Sequence, residues 1–216
     1  MSTQPHILQT NNLSIGYGKT TLATALCISI NKGTLVGVFG RNGKGKTTLL
    51  KTIAGLIPAI DGEVLIDGTS IAKYSASALA KKMALVFTDR SFDANLYVED
   101  VLKIGRTPHL GMGYKLTPED VSVINDTVKL CDIHLFLHRK LITLSDGEKQ
   151  RVLLARAIVQ QTDIILLDEP TAHLDIPNRE FLFSLLCELT KRGKTIIIST
   201  HEIELAKKYV HQVIEM

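Results

Sequence analysis

Tryptophan is absent from this chain of 216 residues, and aromatic residues of every kind make up only 5%. The ladder of aromatic and basic side chains on which single-stranded nucleic acid stacks is therefore missing. Charge of one sign is also scarce: 25 Lys and Arg against 22 Asp and Glu leave a formal +3. No long basic run stands out, so no nucleic-acid partner is expected. Only three cysteines occur, Cys27, Cys131 and Cys187, far apart and in no CxxC pair. That excludes a disulfide framework and a cysteine metal cluster, and reads as reduced thiols of a cytosolic protein. No apolar run approaches the ~18 residues needed to span a bilayer. The polar start MSTQPHILQTNN lacks the apolar core of a signal peptide. The expectation is a soluble chain whose membrane association, if any, comes through a partner.

What is present is a hydrophobic fraction of 45%, enough for one sizeable domain with its own core. Short β-like stretches at Ile7-Leu8, Leu13 to Tyr17 and Leu26 to Ile30 predict an early antiparallel lobe, with Asn31-Lys32-Gly33 read as a hairpin turn. A further strand is expected between the Asp61-Gly62 and Asp67-Gly68 turns. Leu35 to Phe39, Met83 to Phe87, Ile164 to Leu167 and Thr195 to Ser199 are uninterrupted apolar or β-branched runs. Such runs suit a parallel sheet covered on both faces. Helices are expected at 46–56, 75–82 and 177–192. The stretch from about 95 to 160 reads as mostly helical, broken by a Gly/Pro-rich loop at 105–118.

Gly40-Arg41-Asn42-Gly43-Lys44-Gly45-Lys46-Thr47 matches GxxxxGK[ST] in full, with a strand before it and a helix after it. Glycines let the backbone wrap closely around phosphate oxygens, and the N–H groups and the helix start then face the anion. Lys46 is expected on the β- and γ-phosphates, Thr47 on Mg²⁺, and Thr48 as a further contact from the first helical turn. Lys44 adds a charge that either holds polyphosphate or faces solvent. Ile164 to Leu167 ends in Asp168-Glu169, two acids closing a buried strand. Buried strands rarely carry carboxylates. At the C-terminal edge of a parallel sheet they face the ligand crevice. Asp168 is expected to hold Mg²⁺ and Glu169 to activate the attacking water. Lysine, metal and a water-directing acid together describe a nucleoside triphosphatase.

Leu144-Ser145-Asp146-Gly147-Glu148-Lys149-Gln150-Arg151 resembles the LSGGQ signature of the ABC ATPase family. Thr171-Ala172-His173-Leu174-Asp175 looks like its D-loop, Thr200-His201-Glu202 like its switch-histidine segment, and Tyr17 like the aromatic that stacks on adenine. The resemblance covers nearly the whole chain in the family's order. It implies an α/β P-loop NTPase fold over 1–216. The parts would be an antiparallel β lobe, a RecA-like parallel-sheet core and a helical subdomain at approximately 95–160. It also implies ATP and Mg²⁺ as ligands, and a head-to-tail dimer of two copies with ATP sandwiched between them. Lys46, Asp168, Glu169 and His201 would be the catalytic set. Ser145, Gly147 and Glu148 would face the nucleotide of the other copy, and Asp175 would connect the paired sites. Arg151 and Arg156 would hold the signature helix in place.

Three departures qualify the resemblance. Asp146 stands where glycine is usual and Glu148 where glutamine is usual, and extra carboxylates near a triphosphate are unfavourable unless they turn away. Thr88-Asp89-Arg90 stands where the family places a glutamine, leaving Asp89, or more weakly Thr88, to take the metal role. Only Glu202 to Met216 follow the switch histidine, where the family usually continues into a short β element and more helix, so that extension is not expected here.

Leu96 to His109, containing Gly105-Arg106-Thr107-Pro108-His109, resembles the segment found in importers of iron–siderophore, haem and vitamin B12. It implies two membrane permease subunits docking near Thr88-Asp89 and Gly105 to His109, an extracytoplasmic solute-binding protein beyond them, and a location at the cytoplasmic face of the inner membrane. On this reading Arg106→Glu lowers uptake but spares ATP hydrolysis. The alternatives are an importer of metal ions or amino acids, or a soluble non-transport ABC protein.

Overall fold

The computed structural model describes residues 6–18, 20–87, 93–111, 113 and 115–216. Two sheets organise it. The first is antiparallel, built from β1 (His6–Tyr17), β2 (Thr20–Asn31), β4 (Asp61–Ile66) and β5 (Thr69–Ser70) in the order β2-β1-β4-β5. Alternate residues of β1 such as Leu13 and Ile15 are fully buried, as a half-covered strand requires. Its register with β2 and β4 slips near Asn11 to Leu13, with Asn12 at positive φ. Gly62 answers this kink: a Cβ there would lie 2.4 Å from the carbonyl oxygens of Asn11 and Asn12. The β1–β2 hairpin turns at Gly18, between Tyr17 and Thr20, which pair across it, and the β4–β5 hairpin turns at Asp67-Gly68. Asn31-Lys32-Gly33, expected as a hairpin, instead carries the chain out of this sheet into the other one. A turn composition shows where a strand stops but not which sheet takes the next one.

The second sheet is parallel: β6 (Met83–Val86), β7 (Ile164–Asp168), β8 (Thr195–Ser199), β3 (Leu35–Phe39) and β9 (Gln212–Glu215), in that order. Every residue of β3, β7 and β8 is buried. The cause is visible in β7. Ile164 and Leu166 enter a core shared with the β lobe and α1 (Lys46–Ile53). Ile165 and Leu167 enter the opposite core, under α3 (Val98–Gly105), α5 (Asp146–Val159) and α6 (Ile176–Lys191). Both faces are covered, so the period-two alternation is apolar on both phases. Each such side chain contributes about 1.5–3 kcal/mol when fully buried. The strand β9 was not anticipated. It pairs in parallel with β3 along Val36 to Phe39 and brings Met216 against Gly40.

The helices follow local signals. Ser75 caps α2 (Ala76–Lys82). Thr117 and Asp120 form a reciprocal capping box on α4 (Pro118–Leu130), and Ser145 and Glu148 do the same on α5. Asp175 caps α6, and α7 (Ile203–Ala206) is a single turn. The α3 and α5 helices cross closely at Gly105, where a Cβ would meet Val159 Cγ2 at 2.4 Å.

Arg106, next in the chain, is a correction to the sequence reading. Its side chain is only 4% exposed, and Nε and Nη2 grip Asp120 Oδ1 at 2.8 and 2.7 Å. Its Nη1 donates to the Val159 carbonyl at 2.6 Å and to Gln161 Oε1 at 3.0 Å. A guanidinium satisfied inside the helical subdomain is not a surface docking contact. Arg106→Glu would therefore damage that subdomain rather than uncouple a partner.

Candidate active site

The site grows from the C-terminal ends of three neighbouring strands, β3, β7 and β8. After β3 the chain turns through Gly43 and Gly45, with φ of 80° and 99°. Only glycine takes these values without strain. Arg41, Asn42 and Lys44 are exposed on this loop, whereas Thr48 is buried in the first turn of α1. Gly45 caps α1 with no side chain, leaving the backbone N–H groups of the first turn open to an anion. Lys46, 6% exposed, turns back over this loop. Its Nζ donates to the Gly40 carbonyl at 2.9 Å and lies 3.3 Å from Glu169 Oε1.

Thr47 donates its hydroxyl to the Asp168 carboxylate, at 3.0 and 2.8 Å to the two oxygens. Ser199, the last residue of β8, donates to Asp168 Oδ1 at 2.6 Å and accepts the Glu169 N–H at 3.0 Å. Glu169 itself sits at φ 46°. For a non-glycine residue this costs about 1–3 kcal/mol, and here it turns the carboxylate off the strand axis. Glu169 Oε2 then accepts the His201 backbone N–H at 3.2 Å and lies 2.8 Å from His201 Nδ1. The expected quartet of Lys46, Asp168, Glu169 and His201 is thus one connected cluster. Ser199 belongs to it and was missed, although a hydroxyl ending a fully buried strand was the available signal. Thr171 and Thr200 add a buried hydroxyl pair 3.2 Å apart beneath the same turn.

Thr47 and Asp168 offer hard oxygen donors side by side, the chemistry Mg²⁺ prefers. Among the described residues no group of three His, Cys, Asp or Glu could hold a metal ion unaided. A protein half-shell of this kind fits a Mg²⁺ that takes its other ligands from substrate phosphates and water. Thr88 and Asp89, expected near this metal, lie outside the described residues.

A second cluster forms at the start of α5. Ser145 Oγ accepts from Glu148 N at 3.3 Å, and Glu148 Oε2 accepts from Ser145 N at 2.8 Å. The Glu148 carboxylate is therefore folded back onto its own helix start. The Ser145 N–H, aided by Arg139, holds its pKa below the usual carboxylate range. Gly147 leaves room for Asn178, whose Nδ2 would sit 2.7 Å from a Cβ at that position. Asn178 donates to Asp175 Oδ1 through N at 3.1 Å and Nδ2 at 2.7 Å, and accepts from Arg151 at 3.1 Å. Signature and D-loop are thereby joined. Arg151 also stacks 4.0 Å over Phe181, and Arg156 donates to the Leu85 carbonyl at 3.0 Å, so both arginines anchor α5 as expected. Tyr17 is 50% exposed at the tip of the β1–β2 hairpin. That hairpin borders the phosphate loop through Leu22, whose Cβ would lie 3.2 Å from a Cβ on Gly45.

No helix among the described residues is long and apolar enough to cross a membrane. A family model described as "ABC transporter" matches residues 24–172. A shorter match, to an AAA domain, spans 139–207. The chain is 36% identical over 201 residues to an uncharacterized ABC transporter ATP-binding protein of Methanocaldococcus jannaschii, covering 93% of this chain and 69% of that one. It is 34% identical to the iron(3+)-hydroxamate import ATP-binding protein of Bacillus subtilis, covering 97% of this chain and 78% of that one. Among solved structures it resembles the ADP conformation of an ATP-binding cassette of an ABC transporter. The TM-score is 0.87 at 25% identity, over 98% of this chain and 87% of that one.

Proposed function

The chain belongs to the ABC transporter family as an ATP-binding subunit with ATPase activity, and we propose that it drives uptake of a metal chelate through a separate membrane permease. The observation that carries the reading is the division of its chemistry between two clusters. The catalytic cluster sits on the ends of β3, β7 and β8, while the capped serine of the signature sits at the start of α5. Two copies placed head to tail bring the signature of one to the phosphate loop of the other. ATP then becomes part of the interface. Tyr17 stacks on the adenine, and the Gly40 to Gly45 backbone with Lys46 takes the β- and γ-phosphates. Thr47 and Asp168 hold Mg²⁺, which neutralises phosphate charge when bound. Glu169 orients the attacking water, His201 steadies that carboxylate, and Ser145 of the second copy donates to the γ-phosphate. Asp175 and Asn178 tie each signature to the opposing site.

The permease side is supported by a groove of about 880 Å³ on the chain, walled by Leu56, Pro58, Tyr74, Leu79, Ile104 and Pro108. Leu56 and Ile104 are 56% and 39% exposed. Exposed apolar patches of this kind mark partner surfaces. Part of the Gly105 to His109 segment thus borders the docking surface, with Arg106 as its internal brace. Held there by the permease, the subunit lies peripherally at the cytoplasmic face. The chelate assignment draws on the iron-hydroxamate relative and on the likeness of Leu96 to His109 to chelate importers.

Glu169→Gln tests the engine. It is expected to bind ATP, pair into dimers and lose hydrolysis at least about 100-fold. A variant that binds ATP and stays monomeric on size-exclusion chromatography would refute the sandwich. Ferric-siderophore-stimulated hydrolysis in proteoliposomes with the native permease and binding protein tests the cargo. Stimulation by an amino acid instead would overturn it.

A further inference from the structure

We propose that Arg139 is a positioning residue whose charge allows an acidic signature to face a triphosphate. This rests on the composite-site reading above. The signature carries Asp146 and Glu148, two carboxylates within the first turn of α5. In the proposed dimer that turn meets the γ-phosphate held by the second copy. Like charges at such range are costly in a partly dry interface. One of these charges is managed within the helix start itself. Glu148 does not point outward: Oε2 takes the Ser145 N–H at 2.8 Å, and Oε1 lies 3.4 Å from Arg139 Nη1. Arg139 is itself fixed. Its Nη2 donates to the Thr143 carbonyl, and its guanidinium lies over the Phe136 ring with 5.7 Å to the centroid. Its own carbonyl accepts the Val98 N–H at 3.0 Å, joining it to the start of α3.

The chain Arg139–Glu148–Ser145 therefore does two things. It cancels one unit of negative charge beside the site, and it fixes the backbone of Ser145, whose hydroxyl already accepts from Glu148 N at 3.3 Å. That bond uses a lone pair and leaves the hydroxyl proton free to donate. Ser145 is held with its O–H as the available donor. Without Arg139 the Glu148 carboxylate keeps its bond to Ser145 but becomes an uncompensated charge close to the nucleotide of the opposing copy.

Arg139→Gln, Glu148→Gln and the double variant separate positioning from scaffolding. Arg139→Gln removes the charge and keeps amide donors. Each is measured for kcat, for the Kd of a fluorescent ATP analogue at the phosphate loop, and, in a Glu169→Gln background, for the ATP concentration that half-saturates dimerisation. Arg139→Gln is expected to leave the analogue Kd within about twofold, lower kcat about tenfold and raise the dimerisation midpoint about tenfold, the effect of roughly one lost charge partner. Glu148→Gln retains the acceptor for Ser145 N and removes the charge, so it restores kcat and midpoint in the double variant to within about threefold of the parent. If the double variant is as impaired as Arg139→Gln alone, Arg139 is scaffold and the proposal fails. It fails equally if Arg139→Gln changes neither kcat nor midpoint. Should Arg139→Gln lose analogue binding, and so its fold, Arg139→Met takes its place under the same two outcomes. A parent Glu169→Gln protein that binds ATP without pairing would refute the composite site itself, and is told apart because it needs no change at Arg139.

Discussion

Replacing Arg106 by Met removes a charge while nearly keeping side-chain volume, and the structure sets the size of the effect. Arg106 is 4% exposed and makes two contacts to Asp120 Oδ1 at 2.8 and 2.7 Å, one to the Val159 carbonyl and one to Gln161. Breaking a buried pair by removing one partner costs about 3–5 kcal/mol, because the other charge stays behind. In a domain of this size each kcal/mol shifts Tm by about 2–4 °C, so Arg106→Met should melt roughly 6–20 °C lower. Asp120 then keeps the Thr117 N–H and hydroxyl, both on Oδ2 at 2.8 and 2.7 Å, but loses its donor on Oδ1. Asp120→Asn in the same background removes the stranded charge and should return at least about 1 kcal/mol, a non-additivity measurable in a double-mutant cycle.

The acid limb gives an independent reading of the same pair. The Thr117 donors first, and Arg106 after them, depress the Asp120 pKa from 3.8 to about 2. A depressed carboxylate pKa contributes stability that is complete above the unfolded value and is lost as pH falls through the folded one. The parent should therefore lose about 2 kcal/mol between pH 5 and pH 1.5 from this group alone, at 1.36 kcal/mol per pKa unit. Arg106→Met should lose less over that range, starting at the same pH, which the unfolded chain sets, and finishing at a higher one. Urea unfolding followed by far-UV circular dichroism at pH 7 and pH 3 measures both. A destabilisation below about 1 kcal/mol at pH 7 would refute the buried brace and return Arg106 to a surface role.

Ser199→Ala removes the donor to Asp168, worth about 1 kcal/mol, while Glu169 N keeps the Ser199 carbonyl as acceptor at 3.1 Å. It should lower kcat about fivefold with ATP affinity nearly unchanged, read by steady-state hydrolysis; an equal loss in affinity would speak against a positioning role. Gly105→Ala forces a methyl to 2.4 Å from Val159 Cγ2 and 2.5 Å from the Arg156 carbonyl. It should destabilise by about 1–3 kcal/mol in thermal unfolding. Ile104→Glu puts a charge on the wall of the apolar groove. It should weaken co-purification with the native permease at least about tenfold, the scale of one lost apolar anchor, while hydrolysis by the isolated subunit stays within twofold.

What could be read without coordinates was chemistry carried on contiguous residues. The phosphate loop, the acids ending Ile164 to Asp168 and the histidine after Thr195 to Ser199 each follow an apolar run, and a parallel sheet brings such strand ends to one edge. Their convergence needs only the fold class. Arg106 failed for the opposite reason. Gly-Arg-Thr-Pro-His reads locally as an exposed loop, while its burial is decided by partners 14 and 53 residues away. Strand β9 was equally illegible, since its edge position leaves Ile214 as its one buried residue, too weak an apolar signal to mark a strand. Glu148 was placed at the nucleotide by family position, which says nothing about rotamer. The fold-back of its side chain onto the helix start was still legible, since Ser-x-x-Glu is a capping-box pattern that the family reading passed over.

The same helix explains why signature and docking groove need not be near each other. Helix α5 spans Asp146–Val159, about 21 Å at 1.5 Å per residue. Ser145 caps one end. At the other, Arg156 donates to the Leu85 carbonyl at 3.0 Å, and Gln160 donates to the Ala80 carbonyl at 2.6 Å and the Met83 carbonyl at 3.2 Å. Arg156, Leu85, Gln160, Ala80 and Met83 all line the groove, and Ser145 does not. A partner that displaces the groove floor thus moves the end of a hydrogen-bonded rod, and a rod tilts as a whole because bending it breaks backbone bonds. The groove and Ser145, proposed above to meet the opposing phosphate, lie at two ends of one element, so on that proposal force can pass between them without any rearrangement of the core.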